Sequence, residues 1–559
     1  MSNHVRYKTF DQLSFADLIV YSKLPPHPFW SNVEQLVDFS FADTVCSVLY
    51  SGKGQRPYAP SLKLKIHLVQ SYLGTSDRRT EEEIMANLHI KRFLQLPVDF
   101  FGFDHSTIGL DRSRMGESMF RACHLYILAQ LYQHGLWGDR DEKWIIDSFP
   151  TNVHLARPGA YRLIQHATIR LVKHLRKYGT QPMLKALETL PLDAVGVRIG
   201  KSTPPAKRLL AFSKLVVQAY GLLTWFDSEH VKPLLEKWEH GKRSQELQDT
   251  LKRILEENSR PVDPQGGPKE RVEETVQSDE AKAESSEPIT YEKIPRAERP
   301  KDRIISAVDP QARVVKRSLP IIGYKTQNLC TSTGVILDVR TIPANEHDQH
   351  ATADMVSVIQ QLFGVTPSAL LCDAAYGHGW HRELLASKNI RVVAPLPANE
   401  NPKGLFSSSE FRYDADKDVY TCPGGQQSVQ KRYIRQLKGH QYYFEKQACH
   451  SCPLRSQCTS SKEHGRRVFR SDFEELYEAV RQYNESITGK AELQQRLIVE
   501  RKNKELKNDC GLNRIHTRSR AGLQTKALTA AMVVNLKLIV RRKATPKPGF
   551  IRRARKVAG

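Results

Sequence analysis

The chain has 559 residues, more than one ordinary domain holds and enough for roughly three or four. With 84 Lys and Arg against 61 Asp and Glu it carries a formal net charge of +23, and 40% of its residues are hydrophobic, so a sizeable core can be buried. That balance calls for an anionic partner, nucleic acid first and an anionic membrane surface second. Three further classes are excluded by expectation. "MSNHVRYKTFDQLSF" lacks the apolar core of a signal peptide. No stretch is expected to reach the roughly 18 to 20 apolar residues of a membrane span. The nine cysteines are scattered except for one cluster, which fits a reducing compartment rather than a disulfide scaffold.

From about 58 to 120 the chain reads as helical. "SLKLKIHLVQSYLG" has apolar residues at helical spacing and ends at Gly74, and "TSDRRTEEEIMANLHIKRFLQL" follows with Thr80 and Glu83 in the relation of a capping box. A helix, a short turn and a second helix carrying Lys91 and Arg92 would make a helix-turn-helix; an ordinary helical hairpin reads the same way. In "KWIIDSFPTN", Trp144, Ile145 and Ile146 predict a short strand that ends on Asp147 and is closed by Pro150. Leu, Ile and Val at three- and four-residue spacing then predict helices through about 256. Residues 257–300 are rich in Glu, Pro, Ser and Lys and read as a linker or exposed loop.

Beyond Ile304 the pattern turns to strands. "IIGYKTQNLC", "TSTG" and "VILDVRTIP" predict a hairpin with Gly334 at its turn. "DMVSVIQQLFG" and "WHRELLASKN" predict helices, and "SALLCD" and "IRVVAPLP" strands, so this half is α/β. "ALTAAMVVNLKLIV", broken by Asn535 and Lys537, reads as a buried helix.

Two acids, Asp147 and Asp373, each follow a short apolar strand, at the edge where α/β sheets bind ligands, although Asp also ends strands simply because it favours turns. Glu500 stands among bases. On a helix Arg496, Glu500, Lys504 and Lys507 share a stripe, with Ile498, Val499 and Leu506 turned away. An ion pair between Glu500 and Arg496 or Lys504 would account for that acid on its own. Asp309 in "AVDPQAR" rivals Asp147, and Asp302, Asp338 and Asp348 read as loop or hairpin residues.

R-x3-E-x6-K, from Arg496 through Glu500 to Lys507, resembles the block around the third acid of DDE transposases from bacterial insertion sequences, whose pattern is Y-x2-R-x3-E-x6-K. Leu493 occupies the Tyr position. "ERKNKELKNDCGLNRIHTRSRAGLQTKALTAAMVVNLKLI", "LLCDAAYGH", "DPQARVVKR", "IIGYKTQ", "TIPANEHD" and "YAPSLKLKIHLVQSYLG" resemble, in order, blocks of the branch called eleven-eighty-two. "IIDSFPTN" departs from it, with Phe149 where a small residue or Thr is usual.

The resemblance implies an RNase H-like core, with Asp147, Asp373 and Glu500 as a carboxylate triad. Hard oxygen ligands suit two Mg²⁺ or Mn²⁺ ions rather than zinc. Arg496, Arg501, Lys504 and Lys507, with Lys91 and Arg92 in the N-terminal domain, are the expected DNA contacts. Asn503, on the edge of the stripe, is placed to assist them, but the favoured reading is a solvent-exposed Asn. Cys422, Cys449, Cys452 and Cys458 form C-x26-C-x2-C-x5-C, the spacing of a structural zinc site, with His450 as a substitute ligand; the other reading is four reduced thiols in a small lobe.

The expected architecture is therefore α/β. A helical, DNA-binding domain (1–135) leads into the first part of the core (140–155). A helical insertion (156–256) and the linker (257–300) precede the rest of the core (301–400). A cysteine lobe (401–470), a helical end of the core (471–545) and a basic tail (546–559) follow. The resemblance further implies metal-dependent cleavage and strand transfer at an element's terminal repeats, by a homodimer on double-stranded DNA, nucleoid-associated in a prokaryotic cytoplasm and away from membrane. A transposase-derived repressor without activity is the alternative.

Overall fold

Trp144, Ile145 and Ile146 are fully buried, the pattern of a strand covered on both faces. They open β1 (Lys143–Asn152), the middle strand of a six-stranded mixed sheet. The others are β2 (Arg313–Val315), β3 (Ile321–Thr331), β4 (Ile336–Pro343), β5 (Ala369–Leu371) and β6 (Arg391–Val393). The chain is described by a computed structural model over residues 5–10, 14–51, 54–153, 155–156, 158–200, 202–236, 238–262, 290–315, 320–396, 404–513 and 519–543. β1 runs antiparallel to β3 and parallel to β5, and β5 parallel to β6; β4 and β2 pair antiparallel with β3. A helical N-terminal region and this mixed sheet are compatible with an RNase H-like domain.

The strand does not stop at Asp147, as the sequence suggests, but continues through Pro150 to Asn152. The reason is one-sided pairing. β5 accompanies β1 only as far as Ile145, whereas β3 accompanies it to Asn152. Val153 N–H donates to Ile322 on the β3 side. By strand alternation the nitrogen of Pro150 points the other way, where no ladder bond is lost. The hairpin β3–β4 turns at Gly334, with φ +88, as the sequence predicts.

One core joins the N-terminal helices, the sheet and the C-terminal helix Arg520–Lys543. That helix packs on Pro60–Leu73, His105–Gln133 and β4. It and Pro205–Phe226 are long and apolar enough by composition to cross a membrane, which amends the expectation that no segment is; most of the C-terminal one is buried inside the protein. The helices Ala160–Tyr178, Pro205–Phe226 and Gly241–Asn258 form a second core of their own. Part of the expected linker is ordered: Ser259–Pro261 pairs antiparallel with Tyr291–Lys293. Its residues 263–289 and the basic tail lie outside the described residues. A third core, around Phe411, Tyr420, Tyr442, Phe444 and Val468, supports two small sheets in the region that carries the cysteine cluster.

In the N-terminal region the helix that follows Pro60–Leu73 is Asp77–Ala86, capped by Ser76 rather than Thr80, which is buried inside it. Lys91 and Arg92 lie on the next, six-residue helix, Leu88–Phe93.

Candidate active site

The parallel pairing of β1 and β5 sets Ile145 against Leu371. Two residues further along each strand stand Asp147 and Asp373. Asp147 is still in β1, facing Asn328 of β3 in register. Asp373 has left β5 and caps a short 3-10 turn, Ala374–Tyr376, accepting the Ala375 N–H at 2.9 Å. Sheet topology thus brings together two acids separated by the whole insertion.

The third acid comes from the helix Leu497–Lys504, which packs on β1 and β3. Val499, Lys502 and Asn503 are buried against the sheet; Glu500, Arg501 and Lys504 are exposed. From Glu505 to Asp509 the winding widens to a π-turn. Lys507 lies in that turn, so the stripe expected to run straight from Arg496 to Lys507 is interrupted. Arg496, at the helix N-cap, is half-buried, and its Nε has no hydrogen-bond partner among the described residues.

Burial pushes the Asp147 carboxyl up to about 6. The charges of Asp373 and Glu500 push the same way, against the Ser148 N–H and Arg496. Asp147 is thus acted on by both other acids and by one cation, Arg496. Among the described residues, the trio with ligand atoms all within 4.8 Å of one another is Glu81, Asp104 and His105, so the three acids are spaced more widely than a one-ion cage.

Asp309 stands elsewhere. It is buried and accepts a hydrogen bond from the Tyr324 hydroxyl, four residues along β3 from Asn328, roughly 13 Å at strand rise. Asp338 is held by Arg121 and Arg340, Asp348 by Lys325, and Asp302 by Arg253. Lys91 is buried with its ammonium on the Val98 carbonyl at 2.6 Å, and Arg92 donates to the carbonyls of Tyr21 and Leu24. Lys91 is thereby turned inward, whereas Arg92 is half-buried and engages those carbonyls through one guanidinium nitrogen. Asn503, expected in solvent, is buried and donates to Asp147. Its three-residue offset from Glu500 was the available signal, since it puts both on neighbouring faces of one turn.

The four clustered cysteines line one cavity together with Phe406, Gly424 and Arg466. A Cβ on Gly424 would sit 3.3 Å from Cys452 Sγ and 3.7 Å from Cys422 Sγ, and the Arg466 N–H donates to Cys449 Sγ at 3.4 Å. Burial, with the other three thiols adding, raises the Cys458 thiol. No three of these sulfurs lie within 4.8 Å of one another, and His450 is exposed.

Two family models match the chain: Transposase DDE domain over residues 302–536, and Transposase domain (DUF772) over residues 19–114. Asp373 and Glu500 fall inside the first span; Asp147, ahead of the insertion, falls outside it. No curated protein and no solved structure matches.

Proposed function

We infer that this chain, which belongs to the DDE transposases of insertion sequences and is a DNA transposase, works through Asp147, Asp373 and Glu500. The observation that carries this is the placement of the three acids: paired β1 and β5 bring Asp147 and Asp373 to one end of the sheet, and the helix bearing Glu500 packs on β1. Three acids facing one another with little compensation make a site that a divalent cation would relieve. Their hard oxygens suit Mg²⁺ or Mn²⁺. When bound, a pair of such ions would activate the attacking water or 3′-hydroxyl and stabilise the leaving oxygen. A repressor would have no use for this arrangement.

The other groups follow from their positions. Arg496, half-buried and acting on the Asp147 carboxyl, holds a phosphate of the bound strand with the exposed part of its guanidinium. Arg501 and Lys504, exposed on the same helix, and Lys507 on the π-turn extend that contact along the backbone. The N-terminal helices bind the element's terminal repeats through groups that reach the surface, Arg92 among them and the buried Lys91 not. Cys422, Cys449, Cys452 and Cys458 hold a structural Zn²⁺: four thiols around one cavity fit that ion, and closing on it requires their sulfurs to draw together. The ordered sequence blocks support the eleven-eighty-two branch. The working form is a homodimer on double-stranded DNA, in a prokaryotic cytoplasm at the nucleoid.

The test is cleavage and strand transfer on DNA carrying the sequences that flank the gene on both sides, with Mg²⁺, Mn²⁺ or EDTA. Asp147→Asn, Asp373→Asn and Glu500→Gln should each lower the rate by at least about a thousandfold, roughly 4 kcal/mol of transition-state stabilisation. Undiminished activity in Glu500→Gln would sink the assignment.

A further inference from the structure

We propose that Asn503 is a positioning residue for the first acid: its side-chain amide fixes the Asp147 carboxylate, ties it to Asn328 on the neighbouring strand, and so sets where Asp147 stands relative to Glu500. This rests on the reading of Asp147 and Glu500 as metal ligands. Asn503 Nδ2 donates to Asp147 Oδ2 at 3.0 Å, and Asn503 Oδ1 accepts from Asn328 Nδ2 at 3.0 Å. Asn503 is 7% exposed and Asn328 fully buried. The direction of this relay is determined by chemistry. An ionised carboxylate only accepts, so the amino group of Asn503 must face Asp147, its oxygen must face Asn328, and Asn328 must present its own amino group.

Asn328 is also the register partner of Asp147 across β1 and β3. The three side chains therefore close a triangle between two paired strands and the helix laid over them. Glu500 sits on that helix one turn before Asn503. The bond that orients Asp147 also pins the turn bearing Glu500, so the relay couples the first and third acids across 353 residues of sequence. The next contacts lock the same turn: the Lys502 ammonium is paired with Glu505 at 3.1 Å, and a Cβ on Gly334 of the hairpin would meet Lys502 Cε at 2.9 Å.

Packing alone does not ask for an amide here. Among the inward positions nearby, Val499 and Leu506 are apolar and fully buried, and Lys502 pairs its charge with Glu505. The relay leaves Asn328 Oδ1 buried without a hydrogen-bond partner among the described residues, a cost an apolar filling would avoid. Polar choices that break the local packing rule concentrate at functional sites. The choice of a neutral donor is informative too. Lysine or arginine at 503 would neutralise Asp147 and compete with a divalent ion, whereas an amide orients the carboxylate and leaves its charge for the cation. Outer-shell partners of this kind set ligand geometry and metal affinity.

The experiment is titration of the full-length chain with Mn²⁺ alone, followed by electron paramagnetic resonance of the free ion; Mn²⁺ is a poor match for the thiol cluster. Folding of each variant is checked by thermal unfolding in EDTA. Asn503→Leu and Asn503→Ala should raise the half-saturating Mn²⁺ concentration about tenfold to a hundredfold, with cleavage partly restored at high Mn²⁺. Asn328→Val, which removes only the second link, should shift it less in the same direction, and it decides the matter if neither Asn503 variant folds. Unchanged Mn²⁺ affinity in the folded variants, while Asp147→Asn loses it, overturns the relay and leaves the triad standing. If Asp147→Asn and Glu500→Gln take up Mn²⁺ like the unaltered chain, the triad reading fails and the relay falls with it.

Discussion

Glu492 shows how one buried acid can organise the approach to a site without belonging to it. Its carboxylate meets Lys143 at the start of β1, Arg391 at the start of β6 and the Tyr483 hydroxyl, all within 3.0 Å. Burial by itself would raise this carboxyl, but Arg391, Tyr483 and Lys143 overcome it and hold the group down to about 2. A depressed acid contributes stability that is present above its ordinary value of 4.5 and is lost as pH falls toward 2. Glu492→Gln should therefore cost about 2 kcal/mol at pH 7, allowing for the half-exposed Arg391. The gap to the unaltered chain should narrow steadily between pH 4.5 and 3 in urea titrations. Glu492 also precedes Leu493, where the family pattern has its tyrosine; in this chain a tyrosine hydroxyl, that of Tyr483, reaches the neighbouring acid instead. At this scale the sequence exposes residues whose spacing carries meaning, such as Glu500 between Arg496 and Lys507. It hides direction. Asn503 and Lys91 look solvated in a string of letters, and only the sheet beneath one and the Val98 carbonyl beside the other turn them inward.

Elements were legible where a pattern repeats over many residues, as in the hairpin and the C-terminal helix, and less so where pairing decides. Pro150 looks like a stop until β1 is seen to have a partner on one side only. Asn535 looked like a break in an apolar helix, yet it is fully buried. Its amide accepts the Ile336 N–H and donates to the Ile336 carbonyl, while Gln524 does the same for Thr341 and Val339. β4 pairs only with β3, so these two amides cover backbone groups on its outer edge, which would otherwise be buried unpaired. Asn535→Leu should destabilise the chain by about 3 kcal/mol, since two backbone groups lose partners at once. Chemical denaturation at neutral pH measures this, and a loss under about 1 kcal/mol would show that the edge finds other partners. The cysteine lobe gives a second test among the elements. The purified chain should carry about one zinc, and Cys452→Ser should lose it and loosen the lobe to protease while leaving Mn²⁺ uptake at the triad intact. A zinc-free chain with a protease-resistant lobe would favour four reduced thiols.

At the scale of the whole molecule the decisive quantity is the surplus of 23 positive charges. Many cations are already committed: Lys63 to Asp111, Arg112 to Asp77, Arg121 to Asp338, and Arg382 to three backbone carbonyls. Each ion pair removes one positive and one negative charge, so pairing leaves the net surplus untouched. That surplus sits on a chain whose proposed site is itself acidic, an arrangement in which DNA phosphates are to be held by bases around the acids and not by the acids' own ions. Binding should then be dominated by counterion release. For six or more phosphate contacts, affinity for duplex DNA in EDTA should fall about a thousandfold between 50 and 200 mM salt. Fluorescence anisotropy at a series of salt concentrations measures the slope. Glu500→Gln should keep that slope, because in the absence of metal the acid contributes no phosphate contact. Arg496→Ala should reduce its magnitude by about one, the signature of a single lost phosphate. A flat salt dependence would mean that the basic surface is not the DNA-binding one, and an unchanged slope in Arg496→Ala would move the phosphate contact away from the acids.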